Sequence, residues 1–375
     1  MSGGASDDDP ASDGESESGA TDEADSEFRD SAWLRAALNA TRPDEPIASI
    51  EPIAAGGRRH IVAVRFASAS PVVVRHGSDC TALMTESALL SAVAAETAVP
   101  VAEPLGWGPA RPEPAGAAGA GGSSGGEERD DTDSTDGADD GGWLATRFVG
   151  GHDLHGRFTS VDSSVRLEFA RAFGRFLGEL HESFRFEGYG PVVASGGRVR
   201  SASAAQGDAA AWREWLRRRG HGSLDRLPAE FDEVAEAARG RLDAWTVETA
   251  PTPRLYPWDL RPGNALVANG EITAVVDWES PLAAGAALSV AKAEYLLADW
   301  YVPDEADALR RAFRTGYAAV RPIPPVDDVH RIVAVAEAAV DSRGRVTNPR
   351  YPPVDRTAAV EFHRSHLSDV VGIDA

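Results

Sequence analysis

A short stretch that turns back on itself near residue 270 constrains this chain more than any other feature. Residues 265–268 are apolar, Asn269-Gly270 follows, and residues 271–276 form a second largely apolar segment. Asn-Gly between two such segments is the strongest short-range signal for a tight β-hairpin, because both residues tolerate the positive φ angles of the turn. The hairpin therefore brings the residues before position 265 beside those after position 276.

Three oxygen-bearing side chains flank this hairpin. Asp259 and Asn264 lie five residues apart on a loop with Pro262-Gly263, and Asp277 ends the returning strand. Two hard oxygen ligands side by side suit Mg²⁺, which leaves positions open for phosphates and water. The remaining carboxylate can accept the proton of an attacking hydroxyl. The pattern predicts phosphoryl transfer, with Asn264 and Asp277 as magnesium ligands and Asp259 as catalytic base.

Two acidic segments of low complexity interrupt the chain. Residues 1–27 have no large apolar side chain between their first residue and Phe28, and residues 109–142 repeat this composition. Such segments cannot bury enough apolar surface to offset the entropy that ordering costs. We predict a disordered acidic tail over 1–27 and a disordered acidic insertion over 109–142.

The remaining pattern is α+β. Strand-like runs at 61–66, 71–75 and 143–149 and a helix at 80–95 lie in the first third, whereas the later sequence is mostly helical apart from the hairpin. We predict two lobes: a small, β-rich N-lobe over 28–148 and a larger C-lobe over 149–375 with the catalytic loop and substrate region.

Composition excludes several classes of partner. The net charge is −22, yet ten acids fall in 1–27 and eight in 127–140, so the rest is only mildly acidic. No basic face suggests nucleic-acid binding, no apolar run approaches a membrane span, and no secretory signal is evident. A soluble cytoplasmic protein is expected. Of 37 basic residues only Lys292 is lysine, which suggests a high-salt (halophilic) cytoplasm or a GC-rich genome.

The catalytic segment closely resembles a known family. Asp259-Leu-x-Pro-Gly-Asn264, a hairpin and then Asp277-Trp-Glu are similar to the aminoglycoside phosphotransferase-like family, whose relatives include choline, fructosamine and protein kinases. The resemblance covers roughly residues 45–300 outside the insertion. It implies a two-lobed protein-kinase-like fold, ATP and Mg²⁺ as cofactors, and transfer of the γ-phosphate to a hydroxyl group of a small molecule.

The resemblance also implies residues that hold the nucleotide. Gly56 and Gly57 match the short glycine loop over the ATP phosphates, Arg75 the cationic position of the third strand, and Glu86 the helix glutamate paired with it. Glu86 has independent support, because it lies in an otherwise apolar helical stripe and a buried carboxylate needs a partner. Arg75, on the preceding strand, is the candidate partner. The stripe also contains Leu83, Leu90 and Val93.

Two departures from the family pattern leave alternatives open. Pro257-Trp258 stands where the family has His-Gly, and Gly285-Ala286-Ala287 with Ser289 replaces a Gly-Asp-Pro and helix-start aspartate that would buttress the catalytic loop. A nucleotide-binding regulatory pseudo-kinase with little or no catalysis is the alternative. A protein kinase fits less well, because no Ala-Pro-Glu follows Asp277 and Trp278 replaces the usual phenylalanine.

Overall fold

The structure, a computed structural model, describes residues 28–53, 60–111, 141–202 and 207–373. The predicted tail over 1–27 and most of the predicted insertion over 109–142 lie outside these residues, so their disorder stays a prediction. The ends of that insertion are strand: Pro104–Pro109 and Gly142–Arg147 are both β. The chain forms two compact units, residues 1–80 with 105–148 and residues 81–104 with 149–375.

Within the described residues, the first unit contains a five-stranded sheet and the helix Ala32–Thr41. The strand order is β1-β2-β3-β5-β4, and the pairs β1–β2, β2–β3 and β3–β5 are antiparallel. Val-rich strands suit a half-buried pleated surface, and Trp33 and Leu34 of helix α1 belong to the same apolar core as Val62, Val64 and Val74. The elements are α1 (Ala32–Thr41), β1 (Ile47–Pro52), β2 (Ile61–Phe66), β3 (Val72–Gly77), β4 (Pro104–Pro109) and β5 (Gly142–Arg147).

The second unit is mostly helical. Its helices are α2 (Cys80–Glu96), α3 (Ser163–Ser183), α4 (Ala209–Leu224), α5 (Asp232–Ala244), α6 (Ala286–Glu294), α7 (Ala306–Ala318), α8 (Asp328–Ala339) and α9 (Arg356–Val371). Shorter turns are the 3₁₀ segments Ala229–Phe231, Pro262–Asn264 and Pro303–Glu305 and the π-helical turn Tyr295–Asp299.

Two small sheets accompany these helices. One has the order β11-β10-β6, and the other the order β8-β7-β12-β9. Their strands are β6 (His152–Asp153), β7 (Gly190–Ser195), β8 (Arg198–Ser201), β9 (Pro253–Tyr256), β10 (Ala265–Ala268), β11 (Glu271–Val275) and β12 (Leu282–Gly285). Besides the predicted hairpin, the structure therefore contains the short strands β6, β7, β8, β9 and β12, which the largely helical prediction for this part of the chain did not include.

Residues 81–104 belong with the helical unit, whereas the sequence prediction assigned all of 28–148 to the first lobe. Hydrogen bonds along this stretch explain the difference. The Thr85 hydroxyl accepts the Ala194 N–H, the Ala98 N–H donates to the Glu179 carboxylate at 2.7 Å, and the Pro100 carbonyl accepts the Val275 N–H at 2.8 Å. These are partners that no local pattern in 81–104 reveals.

Helices α3 and α7 cross at two glycines. A β-carbon at Gly174 would collide with the Phe313 carbonyl oxygen, and one at Gly316 would collide with the Arg171 carbonyl oxygen. Each clash is with backbone, which cannot rotate away. The crossing therefore requires glycine at both positions. The crossing anchors helix α7. The segment before this helix contains Tyr301, whose hydroxyl lies beside Gly263 in the loop that follows Asp259.

We expect Gly174→Ala and Gly316→Ala each to lower the free energy of unfolding by more than about 2 kcal/mol, because helix α3 must move away from α7. Gly222→Ala is the matched control: it is also within a helix, and a β-carbon there meets nothing within 4 Å. It should stabilise the protein by up to about 1 kcal/mol, since alanine favours helix. Urea unfolding measures all three, and equal effects at Gly174 and Gly222 would contradict the close crossing.

Three histidines in the second unit are buried as neutral rings. His363 Nε2 donates to the Thr347 carbonyl at 3.0 Å while its Nδ1 accepts the Tyr295 hydroxyl at 2.6 Å, and His181 Nδ1 lies 2.8 Å from the Tyr317 hydroxyl. Burial lowers the pKa of His363 and of His330 to about 4 and holds the pKa of His181 well below its ordinary value. Protonation of these rings is therefore linked to unfolding.

We expect stability to fall as the pH drops from about 6.5 towards 4. The unfolded chain binds more protons in this window, because an unfolded histidine has a pKa of about 6.5. His363 alone should account for a loss of about 2 kcal/mol in unfolding free energy between pH 7 and pH 5. His363→Gln should remove that share of the pH dependence, whereas a substitution of the exposed His152 should not. An unchanged pH dependence in His363→Gln would contradict the buried neutral ring.

Among the helices that the structure describes, none has the length and apolarity to cross a bilayer.

Candidate functional site

The hairpin predicted at residue 270 forms with the expected turn. Asn269 and Gly270 have φ angles of 53° and 81°, and β10 pairs with β11 in antiparallel register from Ala265 opposite Val275. The Val276 N–H donates to the Asn264 carbonyl at 2.9 Å. This bond places Asn264 beside the residue that precedes Asp277, so both residues lie at the open end of the hairpin.

Asn264 is held by the loop that it closes. It ends the 3₁₀ turn Pro262–Asn264, is buried, and donates from Nδ2 to the Asp259 carbonyl at 2.9 Å. Because the amide nitrogen is used in this bond, the side-chain oxygen Oδ1 is the atom that can serve as a ligand. The same bond fixes the distance between the two halves of the catalytic loop.

Asp277 is exposed and has a left-handed backbone, with φ of 66°. This conformation is uncommon for a residue other than glycine and needs support from its surroundings. Buried Trp278 supplies it, because its indole Nε1 donates to the Val275 carbonyl at 2.8 Å. This bond holds the backbone that follows β11, to which Asp277 belongs.

The donor set at the hairpin fits Mg²⁺. It offers one amide oxygen and one exposed carboxylate, both hard oxygen ligands, and Mg²⁺ commonly takes few protein ligands. In the described part of the chain, no group of three or more His, Cys, Asp or Glu side chains could hold a metal ion. A metal at Asn264 and Asp277 would thus complete its shell with phosphate oxygens and water.

Asp259 lies at the centre of a cationic cluster. Lys292 Nζ is 3.2 Å from its Oδ1 and Arg261 Nε is 3.7 Å from its Oδ2, and 27% of its side chain is exposed. Burial raises the pKa of the Asp259 carboxyl, but the charges of Lys292 and Arg261 outweigh burial, and the pKa falls below its ordinary value. Asp259 is therefore ionised at neutral pH.

Behind Asp259 lies a buried polar network that sequence reasoning missed. The Lys292 side chain is only 2% exposed, and its Nζ lies 3.5 Å from Glu337 Oε2. Glu337 also accepts the Tyr256 hydroxyl at 2.6 Å and forms an ion pair with Arg219. One signal could have revealed it, because Lys292 is the chain's single lysine and lies in the apolar stretch 286–298. Lysine is almost never fully buried unless it is paired.

Trp258 takes the position where the family has glycine. Its φ of 64° lies in the left-handed region that glycine adopts without strain. Two cations lie against its indole. Lys292 Nζ is 4.0 Å from the ring centroid, and Arg219 Cζ is 4.7 Å from it. Cation–π contacts of this kind help to hold the unfavourable backbone conformation.

The predicted nucleotide residues are distributed over both units. Arg75 lies on β3, opposite Ile61 of β2 and Leu144 of β5, in the first unit. Glu86 is buried within α2, in the second unit. Gly56 and Gly57 lie outside the described residues. The roles of these four residues, including the pairing of Arg75 with Glu86, stay predictions.

Comparison with known proteins identifies the family and the fold. A family model described as "Phosphotransferase enzyme family" matches residues 49–323. No curated protein matches the sequence. The resemblance inferred from the catalytic segment is thereby confirmed.

Solved structures agree with this family. The aminoglycoside phosphotransferase APH(4)-Ia has a TM-score of 0.58 at 12% identity, over 92% of this chain and 99% of that chain. A thermostable variant of it with AMP-PNP and hygromycin B has a TM-score of 0.56 at 13% identity, over 90% and 97%. Spectinomycin phosphotransferase APH(9)-Ia, with ADP and spectinomycin, has a TM-score of 0.51 at 11% identity, over 90% and 96%. The predicted α+β kinase-like fold is confirmed.

Glu337→Ala should lower the free energy of unfolding by about 3–5 kcal/mol, because it leaves buried Lys292 with one carboxylate fewer. Glu361→Ala is the control, since Glu361 forms an exposed pair with Arg364 on helix α9; the change there should be below about 0.5 kcal/mol. Chemical denaturation in molar salt measures both. Equal small losses would show that Glu337 is not part of a buried charge network.

Proposed function

The chain belongs to the phosphotransferase enzyme family, and we propose that it transfers the γ-phosphate of ATP to a hydroxyl group of a small molecule with the help of Mg²⁺. The observation that carries this proposal is that Asn264 and Asp277 both lie at the open end of the hairpin. Asn264 is also hydrogen-bonded to the Asp259 carbonyl, which connects this end to the loop of Asp259. Two structurally similar proteins support it: one was solved with AMP-PNP and hygromycin B, and the other with ADP and spectinomycin.

In the proposed reaction Asp259 is the catalytic base. Its lowered pKa keeps it as a carboxylate at neutral pH, so it can orient an acceptor hydroxyl and take its proton as the phosphoryl group arrives. Phosphoryl transfer passes through a loose transition state, and catalysis consists mainly of positioning and charge stabilisation. The rigid loop between Asp259 and Asn264 supplies that positioning.

Asn264 Oδ1 and the Asp277 carboxylate would hold Mg²⁺, which when bound neutralises charge on the phosphates. Gly56 and Gly57 would cover the phosphates through their backbone N–H groups. Arg75 would contact phosphate with its planar fork of donors, steadied by Glu86. These assignments follow from the family resemblance and are part of the proposal.

A regulatory pseudo-kinase is the second candidate, and one contact favours it. Lys292 and Arg261 both lie beside the Asp259 carboxylate, and close cations make a carboxylate a weaker proton acceptor. Nucleotide binding would persist in such a protein while transfer would be slow. The two candidates therefore differ in whether transfer depends on Asp259 and in whether nucleotide binding needs Mg²⁺ and Asp277.

We expect isothermal titration calorimetry in molar salt to show MgATP binding with a Kd on the order of micromolar. Asp277→Ala should weaken binding by at least about tenfold, because a magnesium ligand is lost, and so should removal of Mg²⁺. Asp259→Asn is the matched control, since it keeps the size of the side chain and touches neither ligand atom; it should change Kd by less than about twofold.

Binding that is independent of Mg²⁺ and indifferent to Asp277 would move the interpretation to the regulatory pseudo-kinase. A folded protein that does not bind MgATP would contradict both candidates. Circular dichroism on each variant distinguishes lost binding from lost folding.

A further inference from the structure

We propose that Lys292 is a positioning residue for Asp259: its ammonium group holds one oxygen of the Asp259 carboxylate, a contact that we call the clamp. The clamp takes the place of the support that the family builds from His-Gly and a helix-start aspartate. The inference rests on the proposed function for its catalytic meaning. Its structural basis is independent of that function and lies entirely within the second unit.

The first observation is that the family's buttress positions carry no equivalent contact here. Pro257 and Trp258 cannot supply a histidine bond, and Ser289, which stands where the helix-start aspartate would lie, has a buried hydroxyl without a hydrogen-bond partner within the described ranges. Lys292 lies one helical turn further along α6 and approaches Asp259 to 3.2 Å. The support therefore comes from the same helix, one turn later.

The second observation is that three groups surround the ammonium of Lys292. Its Nζ forms an ion pair with Asp259 Oδ1 at 3.2 Å, donates to Glu337 Oε2 at 3.5 Å and lies 4.0 Å from the centroid of a Trp258 ring. An ammonium group has three protons and no lone pair. A site with two carboxylates and one aromatic face thus fits lysine and holds it in one direction.

The third observation is that the buried charges are paired. Glu337 faces the cations of Lys292 and Arg219 and also accepts the Tyr256 hydroxyl, while Asp259 faces Lys292 and Arg261. A buried ion network persists only when each charge has such partners. The contact with Glu337 holds Lys292 in place, so the lysine can restrain the partly exposed Asp259.

The clamp leaves one oxygen of Asp259 for chemistry. Lys292 Nζ lies 3.2 Å from Oδ1, whereas Arg261 Nε lies 3.7 Å from Oδ2, beyond hydrogen-bond distance. Arg261 Nε makes no hydrogen bond with any residue that the structure describes. Oδ2 is therefore the oxygen that would accept the proton of the acceptor hydroxyl, and Lys292 sets the direction in which it points.

The single lysine makes the contact measurable without any substrate. Protein grown on ¹⁵N-lysine carries one labelled side chain, and its ammonium signal reports Lys292 alone. We expect this signal to be protected from solvent exchange and to shift clearly in Asp259→Asn and in Glu337→Gln. Arg166→Met, which breaks a half-buried ion pair with Glu305 at 2.7 Å elsewhere, should leave it in place. A signal indifferent to Asp259→Asn would overturn the clamp.

Steady-state kinetics test the role in catalysis, with MgATP as the varied substrate, a fractionated extract of small molecules as the source of the acceptor hydroxyl, and ADP release as the readout. Lys292→Met should lower kcat by about 100-fold while KM for MgATP stays within about twofold. Lys292→Arg should recover part of kcat. Because Lys292 acts through Asp259, Lys292→Met should cause no further loss in the Asp259→Asn background. An equal loss in both backgrounds would overturn the positioning role.

Two further samples keep the outcomes separable. If Lys292→Met does not fold, Lys292→Met with Glu337→Gln removes one cation and one anion together, and the same kcat loss is expected from it. A wild-type protein that binds MgATP without releasing ADP in the presence of this extract would contradict the proposed function, while the ¹⁵N signal would still decide the Lys292–Asp259 contact.

Discussion

The second unit depends on one buried cation. Lys292 ties helix α6 to the catalytic loop through Asp259 and to helix α8 through Glu337, and Glu337 extends the network to β9 through Tyr256 and to α4 through Arg219. A buried charge that loses a partner costs several kcal/mol. The elements that meet at Lys292 therefore hold one another, and Asp259, the base of the proposed reaction, is one of the residues that they hold.

The hairpin and the loop before it impose a second constraint. Trp258 and Asp277 both adopt positive φ angles, which cost free energy for residues other than glycine. The indole of Trp258 contacts the cations of Lys292 and Arg219. The indole of Trp278, the residue after Asp277, donates to the Val275 carbonyl. The free-energy cost of these two backbone conformations is thus offset by contacts of the tryptophan side chains. The same contacts hold the backbone that carries Asp259 and Asp277, which the proposed reaction needs because it depends on positioning.

Local signals allowed much of this to be predicted. Asn-Gly predicted the hairpin and the meeting of Asn264 with Asp277, because a tight turn needs only neighbouring residues. A comparable signal at Gly196-Gly197, which turns between β7 and β8 with φ of 59° and 75°, was overlooked. The position of residues 81–104 and the Lys292 network could not be predicted in the same way, since their partners lie between 33 residues (Lys292 and Asp259) and 175 residues (Pro100 and Val275) away in the sequence.

Transfer itself is the most direct measurement. ATP labelled in its γ-phosphate would be incubated with the protein, Mg²⁺ and a fractionated extract of small molecules, and the label followed into phosphate esters by ³¹P NMR and mass spectrometry. We expect label on hydroxyl-bearing compounds with the wild type and at least about 100-fold less with Asp259→Asn. Label found only in ATP or inorganic phosphate, or equal transfer by Asp259→Asn, would contradict a phosphotransferase with Asp259 as its base.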